Sequence, residues 1–217
     1  MFVIAAARFI DCLSPLGKGD FLMFTGIISD LGECLERSIE TINIKVPKRV
    51  LDVLEIGSSI SVNGICLTVT TLGKSAFSAD IMPETWKRTA LGTVSAGDKV
   101  NLELPLSPQG RFDGHIVQGH VDGIGTVTSI KQSNNSTIFG IRTEPEDLSN
   151  YIVEKGSIAV NGISLTVIDS ATGYFTVGII PHTLENTVLQ DAVIGTRLNL
   201  EVDIVAKYLR KFINEKV

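Results

Sequence analysis

Two seven-residue stretches of this chain are nearly the same, Asn63-Gly64-Ile65-Cys66-Leu67-Thr68-Val69 and Asn161-Gly162-Ile163-Ser164-Leu165-Thr166-Val167. The step from 63 to 161 is 98 residues. The same step carries Pro83 to Pro181, Thr85 to Thr183, Thr89 to Thr187, Leu91 to Leu189, Gly97 to Gly195 and Asn101-Leu102-Glu103 to Asn199-Leu200-Glu201. Those eight identities lie between positions 83 and 103, where ordinary residue usage gives about one or two by chance. Repetition at a fixed period constrains architecture more than any single motif. The chain is therefore one fold used twice, with two related sites, and the differences between the copies become clues to chemistry. The repeat reaches back to Thr25-Gly26-Ile27 and Gln118-Gly119-His120. There the step from 26 to 119 is 93, so the second copy holds five more residues, assigned to the polar stretch 131–136.

Two copies in 217 residues make two domains, each of roughly the common domain size. A hydrophobic share of 44% and a charged share of 20% fit a globular core. The net charge of −5 argues against general attraction to nucleic acid or an anionic membrane. No apolar run reaches the roughly 18 residues of a membrane span. The three cysteines, Cys12, Cys34 and Cys66, are odd in number and dispersed, which points to a reducing cytoplasm and not to a disulfide framework. Residues 1–22 lie outside the repeat. Their apolar stretch precedes the first positive side chain, Arg8, the reverse of a secretory signal, so an upstream extension without catalytic role is expected, with Met23 an alternative start.

Short alternating runs dominate both copies. Thr41–Val46 and Lys99–Leu104 alternate polar and apolar residues as half-buried strands do. Ser58–Val62 and Ile158–Val160 each run into Asn-Gly, a tight-turn signal, with apolar alternation resuming beyond it. Turn signals at this density read as a small antiparallel barrel or sandwich. Short helices are expected at Lys48–Leu54 and Pro145–Tyr151, and a linker at Leu104–Phe112. Apolar residues at 204, 205, 208, 209, 212 and 213 predict an amphipathic C-terminal helix that docks on its own barrel or a neighbouring subunit.

A hairpin needed only for folding accounts for the Asn-Gly pairs and the aliphatic residues. It does not account for Cys66 with Thr68, or Ser164 with Thr166. Residues i and i+2 of a strand share a face, so each pair presents polar groups where a packed interior uses aliphatic ones. Asp80-Ile81-Met82-Pro83-Glu84-Thr85 and Gly178-Ile179-Ile180-Pro181-His182-Thr183 correspond, with Glu84 and His182 at matching places. An exposed loop tip explains either residue alone. Together with the Cys/Ser difference they indicate two pockets for similar ligands in unequal roles. His115 and His120 are five apart, and on one strand they would face opposite sides, which does not favour a shared metal. No phosphate loop, dinucleotide fingerprint or nucleophile elbow is present.

Met23-Phe24-Thr25-Gly26-Ile27-Ile28, the doubled Asn-Gly-Ile-Cys/Ser-Leu-Thr-Val, Gly114–Asp122 and Asn199–Tyr208 occur in order. Together they resemble the riboflavin synthase family of lumazine-binding proteins, over a match running from Met23 to about Arg210. The resemblance implies an all-β fold of two tandem homologous six-stranded antiparallel Greek-key barrels, at 23–115 and 116–203, with a trimerisation helix at 204–217. It implies a cytoplasmic transferase and homotrimer, without metal, flavin or nucleotide cofactor, and makes lumazine synthase a candidate partner. The implied reaction converts two molecules of 6,7-dimethyl-8-ribityllumazine into riboflavin and 5-amino-6-(D-ribitylamino)uracil by four-carbon transfer. The site would form between the N-terminal barrel of one subunit and the C-terminal barrel of its neighbour.

By the same resemblance, substrate contacts in the first barrel fall on Gly26, Ile27, Ile28, Cys66, Leu67, Thr68 and Asp80 to Thr85 (Asp80, Ile81, Met82, Pro83, Glu84, Thr85). In the second they fall on Gly119, His120, Val121, Lys155, Ser164, Leu165, Thr166 and Gly178 to Thr183 (Gly178, Ile179, Ile180, Pro181, His182, Thr183). Functional importance is carried over to Phe24, Cys66 and Asp203, and the chemistry adds His120, Ser164 and Thr166 as catalytic candidates. Asn161 departs from family members that have Asp there, so no acidic role is carried over to it. Ser164, Thr166 and His120 are expected to orient one lumazine and move protons, and Cys66, Thr68 and Glu84 to hold the other. Cys66 is open to two readings, nucleophile or polarisable contact. The alternative to an enzyme is a non-catalytic lumazine- or flavin-binding antenna protein. A flavin-dependent reductase lacks support, since no nicotinamide-binding domain follows.

Overall fold

A computed structural model describes residues 23–214; the extension at 1–22 and its Cys12 lie outside them. The first copy contains β1 (Asp30–Arg37), β2 (Thr41–Lys45), β3 (Ser59–Val62), β4 (Ile65–Leu72), β5 (Ala76–Asp80) and β6 (Lys99–Glu103). The second contains β7 (Gly123–Ser133), β8 (Ser136–Glu144), β9 (Ser157–Val160), β10 (Ile163–Ala171), β11 (Tyr174–Ile179) and β12 (Arg197–Val202). Each set closes into an antiparallel barrel. The cyclic order β1-β2-β5-β4-β3-β6 recurs as β7-β8-β11-β10-β9-β12. The extra residues of the second copy fall where expected, lengthening the β7–β8 hairpin around Asn134. The remaining elements are α1 (Lys48–Leu51), α2 (Pro83–Arg88), α3 (Pro181–Glu185), α4 (Ile204–Asn214) and 3₁₀ turns at Ala90–Thr93, Glu146–Tyr151 and Val188–Asp191. Two helices expected from sequence are thus shorter or tighter: the first stops at Leu51, and the segment after Pro145 is 3₁₀.

Alternation decides which face fills each barrel. Ile65, Leu67 and Val69 of β4 point inward with Ile42, Ile44 and Phe77; Ile163, Leu165 and Val167 of β10 do so with Phe175 and Val177. Burial of each such side chain contributes about 1.5–3 kcal/mol. Cys66, Thr68, Ser164 and Thr166 occupy the outer face, Cys66 and Ser164 half-buried and the threonines exposed. Both barrel interiors are therefore packed with apolar side chains, and any ligand site lies outside them.

The two Asn-Gly turns meet back to back. Asn63 and Gly64 have φ of 48° and 76°, Asn161 and Gly162 of 46° and 79°, the left-handed pair that a type I′ turn requires. A Cβ on Gly64 would lie 2.5 Å from the Gly162 nitrogen. Four buried asparagines tie this junction together. Asn63 Oδ1 accepts from Asn101 N (2.8 Å), and Asn101 Nδ2 donates to Asn161 O (2.9 Å). Asn161 Oδ1 accepts from Asn199 N (2.7 Å), and Asn199 Nδ2 donates to Asn63 O (2.8 Å). The barrels are thus related by a pseudo-twofold axis through the turns.

Candidate active site

The lead-in segments before β1 and β7 cross between the barrels. Phe24 and Val117 pair as a two-bond antiparallel bridge, at 2.7 and 3.1 Å. Phe24 is fully buried there with Val117 and Ala159, and Cys66 packs against them. Gly26, at φ +78°, accepts from Ser164 N through its carbonyl at 2.8 Å. Gly119, at φ +75°, accepts from Cys66 N at 3.0 Å. A Cβ on Gly26 would meet Ser164 Cβ at 2.7 Å, and one on Gly119 would meet Cys66 Cβ at 2.6 Å. Only glycine allows both the backbone conformation and the approach. Gly26–Ile28 therefore belongs with Ser164 of the second barrel, and Gly119–Val121 with Cys66 of the first.

A recess of about 180 Å³ opens at Ser164, lined by Gly26, Ile27, Ile28, His182, Thr183 and Asn186 among others. It is smaller than the roughly 300–1,000 Å³ of an enclosed ligand site. A recess of about 460 Å³ lies beside the asparagine junction between Lys99 and Arg197 and contains none of the residues assigned to substrate. The smaller recess has Ser164 and His182 in its wall, and Ser164 carries the contact described next.

His115 Nδ1 lies 2.7 Å from Ser164 Oγ. Its ring is buried, its Nε2 has no hydrogen-bond partner, and its backbone N–H donates to Thr25 O at 3.1 Å. Burial pushes its pKa down, against an opposing pull from the Asp203 carboxylate. The imidazole is thus neutral near pH 7 and matched to a Ser164 proton. His115 was considered in sequence only as a metal ligand. Its lead-in segment is not a strand, so the opposite-face argument does not apply. The only sequence signal for it is its place in the Gly114–Asp122 motif. His120, expected beside Ser164, instead follows Gly119 on the Cys66 side, where its N–H donates to Glu201.

The Cys66 side differs electrostatically. Burial pushes the thiol pKa up, Ser59 opposes this by hydrogen bonding, and Glu201 adds to it. A thiol held protonated is a poor nucleophile. At the rim Glu84 pairs with Arg88, which holds its exposed carboxyl below the usual range. The matching His182 and Asn186 make a neutral contact, Asn186 Nδ2 to His182 O at 2.7 Å. Asp80–Thr85 and Gly178–Thr183 occupy corresponding strand ends and helix starts, with Met82 and Ile180 exposed. Leu67, Leu165, Ile81 and Ile179 are buried within barrel cores; they shape the walls from behind. Asp203 Oδ1 accepts from Val205 N at 2.9 Å at the start of α4. Lys155, at φ 64°, is exposed beside Glu154 at the hairpin end away from the Asn161-Gly162 turn, and is not among the residues lining the Ser164 recess.

Two buried carboxylates hold the lead-in segments. Glu103 accepts from Thr25 N (2.6 Å), Thr25 Oγ1 (3.0 Å) and Gly26 N (3.0 Å). Glu201 accepts from Gln118 N (2.7 Å), Gly119 N (2.9 Å) and His120 N (3.1 Å). Burial outweighs those donors and pushes Glu103 up to about 7, and pushes Glu201 up as well. A carboxyl whose pKa is raised on folding binds more protons folded than unfolded between the two values. Stability therefore falls as pH rises from the unfolded value near 4.5 through 7. In Glu103→Gln the stability difference between about pH 5 and about pH 8 is expected to shrink by roughly 2–3 kcal/mol. Urea unfolding at the two pH values measures it, and an unchanged difference would contradict the assignment.

Comparison with known proteins follows this geometry. The lumazine binding domain model matches residues 25–105 and 118–203. Riboflavin synthase of Actinobacillus pleuropneumoniae is 46% identical over 200 residues, covering 89% of this chain and 91% of that one. Those of Bacillus subtilis and Saccharomyces cerevisiae are 39% identical over 196 residues and 38% over 203, covering 89% and 87% of this chain and 91% and 85% of theirs. A crystal structure of LumP complexed with riboflavin superimposes with a TM-score of 0.76 at 25% identity, over 83% of this chain and 99% of that one. LumP complexed with 6,7-dimethyl-8-(1'-D-ribityl) lumazine gives 0.74 at 24% identity over the same shares and shows the fold alone.

Proposed function

Because this chain belongs to the riboflavin synthase family, with two lumazine binding domains in tandem, we propose that its two substrates bind unequally, one at Ser164 and one at Cys66. It is a transferase that converts two molecules of 6,7-dimethyl-8-ribityllumazine into riboflavin and 5-amino-6-(D-ribitylamino)uracil. One lumazine gives up a four-carbon unit to the other, in the last step of riboflavin biosynthesis. The atoms of two reactants equal those of the two products.

The observation that carries the assignment of roles is the buried Ser164–His115 pair. One lumazine must lose a proton from its 7-methyl group, becoming a nucleophile toward the other. Ser164 Oγ takes that proton while passing its own to His115 Nδ1, and the Asp203 charge favours the imidazolium that results. His182 lines the recess, and Thr166 shares the outer face of β10 with Ser164. At the other site Cys66 serves as a polarisable contact, consistent with its raised pKa, with Thr68, Glu84 and His120 around it. The chain's remaining contribution is alignment of two heterocycles, and orientation alone supplies several kcal/mol, up to about 7–11.

The small volume at Ser164 supports a site that a neighbouring barrel completes. So does α4, whose Val205, Tyr208, Leu209, Phe212 and Ile213 are each more than half exposed. We place this face at the axis of a homotrimer and Lys155 at a neighbour's site. No helix among the described residues is long and apolar enough to cross a membrane, and a cytoplasmic location fits the unpaired Cys34 and Cys66. The test is incubation with the lumazine alone. Riboflavin fluorescence should rise, with uracil product in equal amount; tight binding without new riboflavin would favour an antenna protein. Truncation before Ile204 should give monomers by sedimentation and lose turnover. A trimer that persists would remove the role given to α4.

A further inference from the structure

We propose that Glu103 and Glu201 are crossed positioning residues: each organises, through its own barrel's lead-in loop, the reactive residue of the other barrel. The inference rests on the two-site reading only in taking Cys66 and Ser164 as site residues. Glu103 of β6 accepts three bonds from Thr25 and Gly26 of its own copy. The Gly26 carbonyl then accepts from Ser164 N of β10, and the Thr25 carbonyl accepts from His115 N. Glu201 of β12 accepts three bonds from Gln118, Gly119 and His120. The Gly119 carbonyl then accepts from Cys66 N of β4.

The arrangement is stringent at every link. Both carboxylates are nearly inaccessible, at 5% and 4% exposure. The loops they hold cannot recede without leaving buried N–H groups unpaired, a loss comparable to a hydrogen bond each. The loops cannot advance either, since Gly26 and Gly119 already stand against Ser164 and Cys66. Apolar packing of the barrels would be served as well by two aliphatic residues at 103 and 201. A carboxyl group fits because its two oxygens together gather three donors, which an aliphatic side chain cannot do. Ser164 and Cys66 are thereby registered by opposite halves of the chain, so neither half is complete without its twin.

Glu103→Gln and Glu201→Gln test this with two probes that need no substrate. An amide places an N–H₂ against one of the donors and frees part of the loop. The first probe is the rate of Cys66 alkylation by iodoacetamide, followed by peptide mass. It is read at the high-pH plateau, because removing the Glu201 charge also lowers the thiol pKa. The second is the His115 imidazole nitrogen resonance. Glu201→Gln should raise the Cys66 plateau about two- to tenfold, the range of one net hydrogen bond, and leave His115 unmoved. Glu103→Gln should shift His115 and leave Cys66 unmoved. If either amide variant fails to fold, Thr25→Val, which removes one donor to Glu103, should shift His115 alone. Each variant acting on its own barrel, or both moving both probes alike, would overturn the proposal. Failure of the enzymatic reading would leave these readouts unaffected.

Discussion

Gly64→Ala should destabilise the protein by about 3–5 kcal/mol, several times the effect of the same change at Gly57. Both glycines have positive φ, 76° and 91°, so both variants carry the left-handed cost of about 1–2 kcal/mol. They differ in space. A Cβ at Gly57 meets nothing within 4 Å, whereas one at Gly64 would lie 2.5 Å from Gly162 N and 2.9 Å from its Cα. The two turns must then separate. Separation strains the Asn101–Asn161 and Asn199–Asn63 bonds that cross the junction, each worth about 1 kcal/mol net and more if a buried group is orphaned. Urea unfolding of the two variants side by side isolates the steric part. Equal losses would mean that the barrels do not meet at their turns.

His115→Gln should lower kcat by about 10²–10⁴, the range of a removed general base, with little change in KM. His120→Gln should cost far less. Sequence resemblance ranks these histidines the other way, since His120 lies in the segment expected to contact substrate. Geometry reverses the ranking. His115 is buried against the Ser164 hydroxyl at 2.7 Å, while His120 is exposed and held to Glu201 by its backbone. The pH profile adds a second readout. Because burial lowers the His115 pKa, the acid limb of kcat in the parent should fall below ordinary histidine titration, and it should vanish in His115→Gln. Steady-state kinetics across pH decide the matter; a larger kcat loss at His120 would contradict the assignment.

Local alternation and turn chemistry made most of the fold legible. Ile65, Leu67 and Val69 against Cys66, Thr68 and Thr70 already sort inside from outside, and Asn63-Gly64 can hardly be anything but a hairpin turn. The repeat then doubles each inference. What could not be read is what crosses between copies. Nothing local says that Gly26 will rest on Ser164, 138 positions on from 26 to 164, or that Gly119 will rest on Cys66. Gly26–Ile28 and Gly119–Val121 belong by sequence to their own copies, yet each lies against the opposite copy. Asn101 and Asn199 stood out as identities without a reason, which the turn junction supplies. The place of His115 is illegible locally because its segment is irregular, with an isolated bridge at Phe24–Val117 in place of a strand. The ends of α1 and the 3₁₀ form of Glu146–Tyr151 are not legible locally, because short amphipathic turns depend on packing more than on propensity.

Two reactants of one chemical kind, separated by a duplicated chain into unlike roles, form the core of this account. A crystal structure with bound riboflavin tests it most directly. The expected result is ligand at two places per chain, one against Gly26–Ile28, Ser164 and Thr183, the other against Gly119–Val121, Cys66 and Thr85. A ligand inside either barrel, or one that spans Gly26–Ile28 and Cys66 together, would contradict it.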